Sequence, residues 1–254
     1  MNRTKIEWTD SRWNPIRGCS RVSEGCRFCY AEEMANRLSG PGNFYEGLAK
    51  NGRWTGRVRL IEEKLPEPAG WKKPVRIFVN SMSDLFHENF SPGDVHRVLD
   101  TIEQTPRHTF QVLTKRPENA GRLLEGRVLP PNVWLGVSVE NQDTAGRVPV
   151  LLGIPAAVRF VSYEPALGPV DWEPYGPIHW LIAGGESGRK KGVRCPDVEW
   201  FRAARDFCLK AGIPFFFKQW GTWNENGERV GKTKAGSLLD GVAWKQFPGE
   251  GRAA

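Results

Sequence analysis

Short and nearly continuous apolar runs recur along this chain from residue 75 onward. They are rich in β-branched and aromatic residues, and they span 75–79, 109–113, 133–139, 158–163, 180–183 and 214–217. Apolar residues that follow one another without polar alternation are typical of a strand buried on both faces. With a further strand expected over 13–18, the pattern predicts about seven buried strands.

Segments with helical periodicity lie between several of these strands. Ser91 and Pro92 offer an N-cap and a first helical residue, and further helices are expected to begin near Pro117 and to span 196–211. Strands that alternate with helices in this way form parallel βαβ units. The sequence therefore indicates an α/β fold, namely a parallel (β/α) barrel or partial barrel of about six to seven strands, related to the TIM barrel.

The chain is expected to hold one domain and an extension. The barrel domain is placed at 1–221, with a cysteine-containing loop at 18–30 and a loop-rich insertion at 40–73. Residues 222–254 form a polar C-terminal extension. No apolar run is long enough to cross a membrane, and the polar N-terminus does not resemble a secretory signal, so a cytoplasmic location without membrane contact is expected.

Three cysteines, Cys19, Cys26 and Cys29, lie close together near the N-terminus. Two residues separate Cys26 from Cys29, so both thiols can reach one metal centre, and a six-residue spacer allows Cys19 to join them. Three soft thiolates that leave one coordination position open suit an iron–sulfur cluster.

Two other interpretations of the three thiols stay open. A structural zinc site would require a fourth ligand, for which Cys195 is a weak candidate, and no second closely spaced cysteine pair is present. The thiols could also be unliganded. Cys208 lies at helical spacing from Phe201 and is expected to pack in the core. A disulfide framework is not expected for five cysteines in 254 residues without a secretory signal.

The net charge of +7 is concentrated near the N-terminus, where residues 1–60 contain 11 Lys or Arg and 6 Asp or Glu. Aromatic residues are interleaved with these arginines: Trp8, Trp13, Phe44, Tyr45 and Trp54. The pattern is typical of base stacking beside phosphate contacts, and equally of a solvated basic surface with its aromatic rings in the core. A nucleotide or nucleic acid is therefore one candidate partner.

Polar residues follow the predicted strands at their carboxyl ends, which is where parallel barrels carry their functional sites. Single residues such as Ser91 and Asn141 are explained as helix caps or loop residues. Capping does not explain the lysines, which cannot cap a helix N-terminus, or the glutamates, which would need partners when buried. The strand-end residues are Asn80, Ser81, Ser83, Asp84, Thr114, Lys115, Arg116, Ser138, Glu140, Ser162, Glu164, Glu186, Ser187, Lys218 and Gln219.

Several short sequence segments that contain these residues resemble the phage Gp37/Gp68 family, an uncharacterised family of the DUF5131 type. The resemblance extends over roughly residues 3–221, and its strings include GCRFCYA at 25–31, NSMSDLF at 80–86, LTKRP at 113–117, GVSVE at 136–140, SYEP at 162–165, GGESG at 184–188 and FKQWG at 217–221. That family in turn resembles the radical S-adenosylmethionine enzymes.

The wider resemblance implies a fold and two cofactors. In radical S-adenosylmethionine enzymes, a cysteine loop after the first strand of a (β/α) partial barrel holds a [4Fe-4S] cluster, whose fourth iron chelates S-adenosylmethionine. Phe28 matches the aromatic residue that usually precedes the last cysteine. The spacer between Cys19 and Cys26 is longer than the usual three residues, and residues 80–84 stand where Gly-Gly-Glu is usual.

The resemblance also implies roles for individual residues. Asn80, Ser81 and Asp84 would hold the ammonium group of S-adenosylmethionine. Ser138 and Glu140 would hold its ribose hydroxyls. Lys115 and Lys218 would pair with a substrate phosphate or carboxylate, and Glu164 and Glu186 would carry protons.

The implied reaction is reductive cleavage of S-adenosylmethionine, with an electron from a flavodoxin- or ferredoxin-type reductant. The product radical would then abstract hydrogen from a nucleotide or nucleic acid in a modification or repair reaction. The alternative function is a nucleic-acid-binding protein without turnover, in which the iron–sulfur or zinc site is structural.

Overall fold

The structure, a computed structural model, describes residues 4–188 and 190–249, and these form an α/β fold. The strands of this region are β1 (Ser11–Trp13), β2 (Ile16–Arg17), β3 (Ala49–Lys50), β4 (Arg53–Trp54), β5 (Arg59–Leu60), β6 (Arg76–Val79), β7 (Thr109–Thr114), β8 (Val133–Val139), β9 (Val158–Tyr163), β10 (Trp180–Gly184) and β11 (Phe215–Gln219). Its helices are α1 (Tyr30–Arg37), α2 (Pro92–Glu103), α3 (Ala120–Leu124), α4 (Arg147–Leu152), α5 (Val198–Ala211) and α6 (Lys232–Ala235).

Seven of these strands form one sheet in the order β1-β6-β7-β8-β9-β10-β11. The pairs β1–β6, β6–β7, β9–β10 and β10–β11 are all parallel. Strand β10 is buried along its whole length, as its continuous apolar sequence predicts. The predicted α/β fold with about six to seven parallel strands is confirmed.

The chain divides into two compact units. The first contains residues 1–22, 29–136 and 153–157, and the second contains residues 23–28, 137–152 and 158–254. This division does not test the predicted barrel domain at 1–221 and extension at 222–254, which stay predictions.

The first strand differs from the prediction. Residues 13–18 were expected to form one strand, whereas the structure has β1, which joins the large sheet, and β2, which pairs with β5 in antiparallel fashion. Pro15 lies between them and has no amide hydrogen to donate to a sheet. The next amide, Ile16 N, donates instead to Asn80 Oδ1 at 3.3 Å.

Helices begin near the predicted positions, and some starts are shifted by a few residues. Ser91 forms a capping box with Asp94, and the Asn141 side chain accepts a hydrogen bond from Thr144 N. The helix expected from residue 196 begins at Val198, because the Asp197 side chain accepts a hydrogen bond from Glu199 N and acts as the N-cap.

In the first unit, the insertion at 40–73 contributes the strands β3, β4 and β5. The small sheet of β3 and β4 adjoins α1. Residues of this region form a cluster of buried side chains together with Met82: Ala31, Ala35, Tyr45, Leu48, Ala49 and Met82. Cys29, which precedes α1, packs against the same cluster. The helix that follows the cysteine loop is thereby fixed by apolar contacts.

In the second unit, aromatic residues form much of the core. The rings of Phe201, Phe217 and Trp220 lie 5.0–5.3 Å apart. Cys208 is fully buried in α5, as expected for a core thiol. Part of the C-terminal extension lies along β11, where Phe217 N donates to Trp244 O at 2.9 Å.

Among the described residues, no helix combines the length and the apolar character that a membrane-spanning segment needs.

Two histidines, the buried His108 and the half-buried His179, should make the stability of the fold depend on pH. Burial lowers the pKa of His108 and of His179 below the ordinary value of about 6.5. Below that pH the unfolded chain binds more protons than the folded chain, so the free energy of unfolding should fall as the pH decreases from 7.5 to 5.5. Urea unfolding midpoints across this range test the expectation.

The variant His108→Gln keeps a donor for Pro68 O, which His108 Nε2 contacts at 3.1 Å. It should show a weaker pH dependence than the wild type. A stability that stays constant or rises between pH 7.5 and 5.5 would contradict the assignment of neutral buried histidines.

Candidate functional site

The cysteine loop begins at Gly18, next to the carboxyl end of β6. Gly18 forms a parallel β-bridge with Ser83 and has a φ of 90°, which L side chains rarely adopt. A Cβ atom at this position would lie 2.1 Å from Arg57 O. Only glycine therefore allows the backbone to enter the loop in this conformation.

The Cys19 thiol lies in a polar part of the first unit. Its sulfur is 3.8 Å from Arg116 Nη1. Burial, assisted by the negative charge of Asp84, raises the pKa of Cys19 to about 12, and the positive charge of Arg116 acts in the opposite direction. The thiolate of Cys29 would also raise it, so the two sulfurs interact electrostatically.

Arg116 is the centre of a network that we call the Arg116 cluster: Cys19, Ser20, Asp84, His87, Glu88 and Arg116. Each nitrogen of the guanidinium group has a partner. Nε donates to Glu88 Oε2 at 2.7 Å, Nη1 to Asp84 Oδ2 at 3.1 Å, and Nη2 to Ser20 O at 2.8 Å and to Ser20 Oγ at 2.7 Å. Arg116 thus fixes the backbone next to Cys19 by direct hydrogen bonds.

Asp84, a predicted cofactor-binding residue, accepts hydrogen bonds from four donors of the protein. Its Oδ1 accepts from Thr114 Oγ1 at 2.7 Å and from Phe86 N at 3.1 Å. Its Oδ2 accepts from Lys115 N at 3.0 Å and from Arg116 Nη1. Four hydrogen-bond donors hold this buried carboxylate in place and make it a structural anchor in the first unit.

His87 completes the Arg116 cluster as a neutral group. Burial lowers its pKa, and the positive charge of Arg116 acts in the same direction. Its Nδ1 accepts from Asn89 N at 3.2 Å, so the proton is on Nε2, which donates to Ser20 Oγ at 3.0 Å. Ser20 Oγ in turn donates to Glu88 Oε1 at 3.0 Å.

Asn80 and Ser81 follow β6 directly, as predicted. Asn80 is buried with a φ of 60°, and its Nδ2 has no hydrogen-bond partner within the described part of the chain. Its Oδ1 already accepts from Ile16 N, so the group left over is a donor. Ser81 Oγ donates to Asn14 Oδ1 at 3.1 Å.

In the second unit, Glu140 lies beside the turn that contains Cys26. Its Oε1 accepts from Ser23 Oγ at 2.9 Å, and its Oε2 accepts from Arg147 Nη1 at 3.1 Å. Arg147 also donates to Ser138 O at 2.7 Å. A Cβ atom at Gly25 would lie 2.5 Å from Glu140 Oε1, so the glycine allows the turn to approach the carboxylate closely.

Glu186 is paired with Arg194, which reaches the same turn. Arg194 N and Nε donate to Glu186 Oε2 at 2.9 and 3.0 Å, and Nη2 forms a further bond with Oε1. The same Nη2 donates to Glu24 O at 3.0 Å, and the guanidinium carbon lies 5.6 Å from the centre of the Phe28 ring. Phe28 therefore packs beneath an arginine in the second unit.

Glu164 and Lys218 form an ion pair at the carboxyl ends of β9 and β11. Lys218 Nζ lies 2.9 Å from Glu164 Oε1, and Ser162 Oγ donates to Oε2 at 3.1 Å. A Cβ atom at Gly184 would lie 2.7 Å from Glu164 Oε1. The glycine at the end of β10 thus leaves space for this partly buried pair.

The structure therefore groups the predicted site residues by unit. Cys19, Cys29, Asn80, Ser81, Asp84 and Lys115 belong to the first unit, and Cys26, Phe28, Ser138, Glu140, Glu164, Glu186 and Lys218 belong to the second. Throughout residues 4–188 and 190–249, no three or more His, Cys, Asp or Glu side chains are grouped so that they could hold a metal ion. All five cysteines are free thiols.

Three arginines had no predicted role: Arg116, which was named only as a strand-end residue, Arg147 and Arg194. Each pairs with a buried carboxylate, namely Asp84, Glu140 or Glu186. A signal was present in the sequence, because buried glutamates at strand ends require partners. What the sequence could not supply was which of its many arginines are close in space.

A family model described as "Protein of unknown function (DUF5131)" matches residues 3–248. No curated protein and no solved structure matches the chain. Because the matched segment covers nearly the whole sequence, the chain belongs to the DUF5131 family.

Proposed function

We propose that this protein is an iron–sulfur enzyme of the radical S-adenosylmethionine type, in which Cys19, Cys26 and Cys29 hold a [4Fe-4S] cluster. The proposed fold is a partial barrel formed by the seven-stranded sheet. The proposed substrate is a nucleotide or a nucleic acid, and the proposed electron donor is a protein of the flavodoxin or ferredoxin type.

One observation carries the proposal: three free thiols lie in one short segment that follows β1 of the parallel sheet and the two-residue strand β2. In ligand type the donor set suits a cluster, because three thiolates are the soft ligands that iron–sulfur clusters take and they leave one iron open. In the described residues the three thiols are not grouped as a metal site, so the proposal rests on ligand type and on their spacing in the sequence. The loop is held at both ends, by Arg116 on Ser20 and by the packing of Cys29 beside α1.

The free donor of Asn80 favours a particular orientation of the cofactor. Asn80 Nδ2 can donate but cannot accept, so it suits the carboxylate of S-adenosylmethionine and not its ammonium group. Asp84 has four protein donors already, and in this proposal it positions Arg116 and the loop. In this proposal neither Asn80 nor Asp84 holds the ammonium group, in contrast to what the resemblance implies.

Roles are also proposed for three glutamates of the second unit. Glu140 accepts hydrogen bonds and suits ribose hydroxyls, which donate them. Glu164 and Lys218 form a partly buried pair that can hold a proton beside the substrate. Glu186 fixes Arg194 against Glu24 O, which we interpret as a positioning role.

When bound, the cluster and S-adenosylmethionine supply one-electron chemistry that protein side chains cannot perform. In this proposal the residues described above would bind and orient the cofactor.

The experiment is anaerobic reduction of the purified protein with dithionite in the presence of S-adenosylmethionine, followed by detection of 5′-deoxyadenosine. Wild-type protein should form this product, and Cys26→Ser should form none because the cluster is lost. Cys195→Ser is the matched control, since Cys195 is exposed and is not a proposed ligand. An intact, reduced cluster that binds S-adenosylmethionine without yielding the product would refute the catalytic proposal.

A further inference from the structure

Two small antiparallel sheets in the first unit place like charges directly opposite each other. Arg17 opposes Arg59 in the β2–β5 pair, and Lys50 opposes Arg53 in the β3–β4 pair. Opposite residues of an antiparallel pair share a face, with Cβ atoms about 4.5–5.5 Å apart, and like charges in that position are destabilising. Two such pairs in one region call for a compensating anion.

The protein does not supply that anion. Within the described residues, none of these four cations, nor the exposed Arg12 of β1, forms an ion pair with a carboxylate. Arg37 differs from them, since it pairs with Glu33 on α1. The two small sheets and Arg12 thus carry five cations without a carboxylate partner among the described residues.

An exposed aromatic ring adjoins these cations. The Arg17 guanidinium carbon lies 5.0 Å from the centre of the Phe44 ring, and Nη1 donates to Phe44 O at 3.1 Å. Phe44 is 67% exposed, whereas its neighbour Tyr45 is buried. The outer side of the Phe44 ring is therefore available as a stacking surface beside a fixed guanidinium group.

The cations and the ring belong to one region of the first unit. The Arg17 guanidinium carbon lies 5.6 Å from the centre of the Tyr45 ring. Burial raises the pKa of Tyr45, and the charges of Arg17 and Arg12 both act against this rise, so Arg12 also interacts electrostatically with Tyr45. The Tyr45 ring is also 6.3 Å from that of Trp54, which follows Arg53. We call this surface the basic–aromatic patch: Arg12, Arg17, Phe44, Lys50, Arg53 and Arg59.

We propose that the basic–aromatic patch binds a single-stranded polynucleotide, with phosphates at the arginine and lysine side chains and an unpaired base on Phe44. Opposed cations suit the closely spaced charges of a phosphate backbone. An exposed ring selects a strand whose bases are unstacked, because a duplex does not present the face of a base. As a statement about the substrate, this inference rests on the proposed function, but binding itself does not require the cluster.

The test measures fluorescence anisotropy of a labelled oligothymidylate of about twelve nucleotides with the full-length protein at several salt concentrations. Wild-type protein should bind with log Kd linear in log salt. Arg12→Gln combined with Arg59→Gln should reduce that slope by about 1.4, since each lost phosphate contact on a single strand changes it by about 0.7. Phe44→Ala should weaken binding roughly tenfold and leave the slope unchanged.

All three substituted side chains are exposed, so the variants should fold as the wild type does. The control combines Lys72→Gln with Lys73→Gln, which removes two exposed charges elsewhere in the first unit. An equal loss of slope in this control, or unchanged affinity in Phe44→Ala, would overturn the inference. A competition experiment gives a further test. If inorganic polyphosphate displaces the labelled oligonucleotide as effectively as unlabelled oligonucleotide does, the patch is a general polyanion site and the inference is overturned.

Iron content is measured on the same samples, so that the two proposals can fail separately. An intact cluster without oligonucleotide binding would overturn this inference and leave the proposed function in place. Binding by protein that takes up no iron would support this inference and contradict the proposed function.

Discussion

Replacing Arg116 by methionine is expected to lower the free energy of unfolding by about 3–5 kcal/mol. The side chains of Arg116 and Asp84 are only 6% and 7% exposed, and removal of the guanidinium group leaves the buried carboxylate without its cationic partner. Ser20 O loses the hydrogen bond from Nη2 as well, and Glu88 loses the one from Nε and keeps the one from Ser20 Oγ. Urea denaturation of the variant and of the wild type measures the difference.

The matched control for Arg116 is Arg37→Met on α1. Arg37 also pairs with a glutamate, Glu33, but these side chains are 59% and 46% exposed. An exposed pair of this kind contributes about 0.5 kcal/mol or less. A loss below about 1 kcal/mol in Arg116→Met would show that the Arg116 cluster does not stabilise the fold to the extent expected for a buried pair.

Replacing Gly18 by alanine should cost about 3 kcal/mol of stability. The new methyl group would lie 2.1 Å from Arg57 O, and the φ of 90° would be strained for any L residue. The backbone must therefore shift immediately before Cys19, so iron content should fall together with the thermal midpoint. Both quantities are measured on the same preparation.

Gly121→Ala provides the comparison for Gly18. Gly121 lies within α3, and a Cβ atom there would have no other atom within 4 Å. Alanine at such a helical position should raise stability by up to about 1 kcal/mol. Equal thermal midpoints for the two variants would mean that the entry to the cysteine loop is not sterically fixed.

The large sheet could be predicted from the sequence because its signal is local. Strands such as β8 and β9 are continuous apolar runs, and the structure has them at 133–139 and 158–163 as expected. The break between β1 and β2 was not predicted, because Asn80, which accepts the Ile16 amide hydrogen, is 64 residues away in sequence.

The aromatic residues near the N-terminus show the same limit. Their spacing was compatible with both a stacking surface and a core, and the structure contains both: Trp8, Trp13 and Tyr45 are buried, whereas Phe44 is exposed. Phe44 and Tyr45 are neighbours in sequence, so composition could not separate them. Their different environments follow from the packing of Tyr45 against α1 and the small sheet of β3 and β4.

The candidate site could be predicted in outline and not in its connections. The positions of the strand-end residues followed from the parallel fold, but the partners of Asp84, Glu140 and Glu186 are arginines brought there by tertiary structure. The opposed Arg17 and Arg59 also depend on strand register, which the short strands β2 and β5 do not reveal by alternation.

The central claim is that Cys19, Cys26 and Cys29 hold an iron–sulfur cluster, and the most direct test is metal and sulfide analysis of anaerobically purified protein. The account predicts about four iron and four sulfide per chain in the wild type and in Cys195→Ser, and none in Cys19→Ser, Cys26→Ser or Cys29→Ser. Stoichiometric zinc without iron or sulfide in the wild type would contradict this claim. A full cluster in Cys19→Ser, Cys26→Ser or Cys29→Ser would contradict it as well.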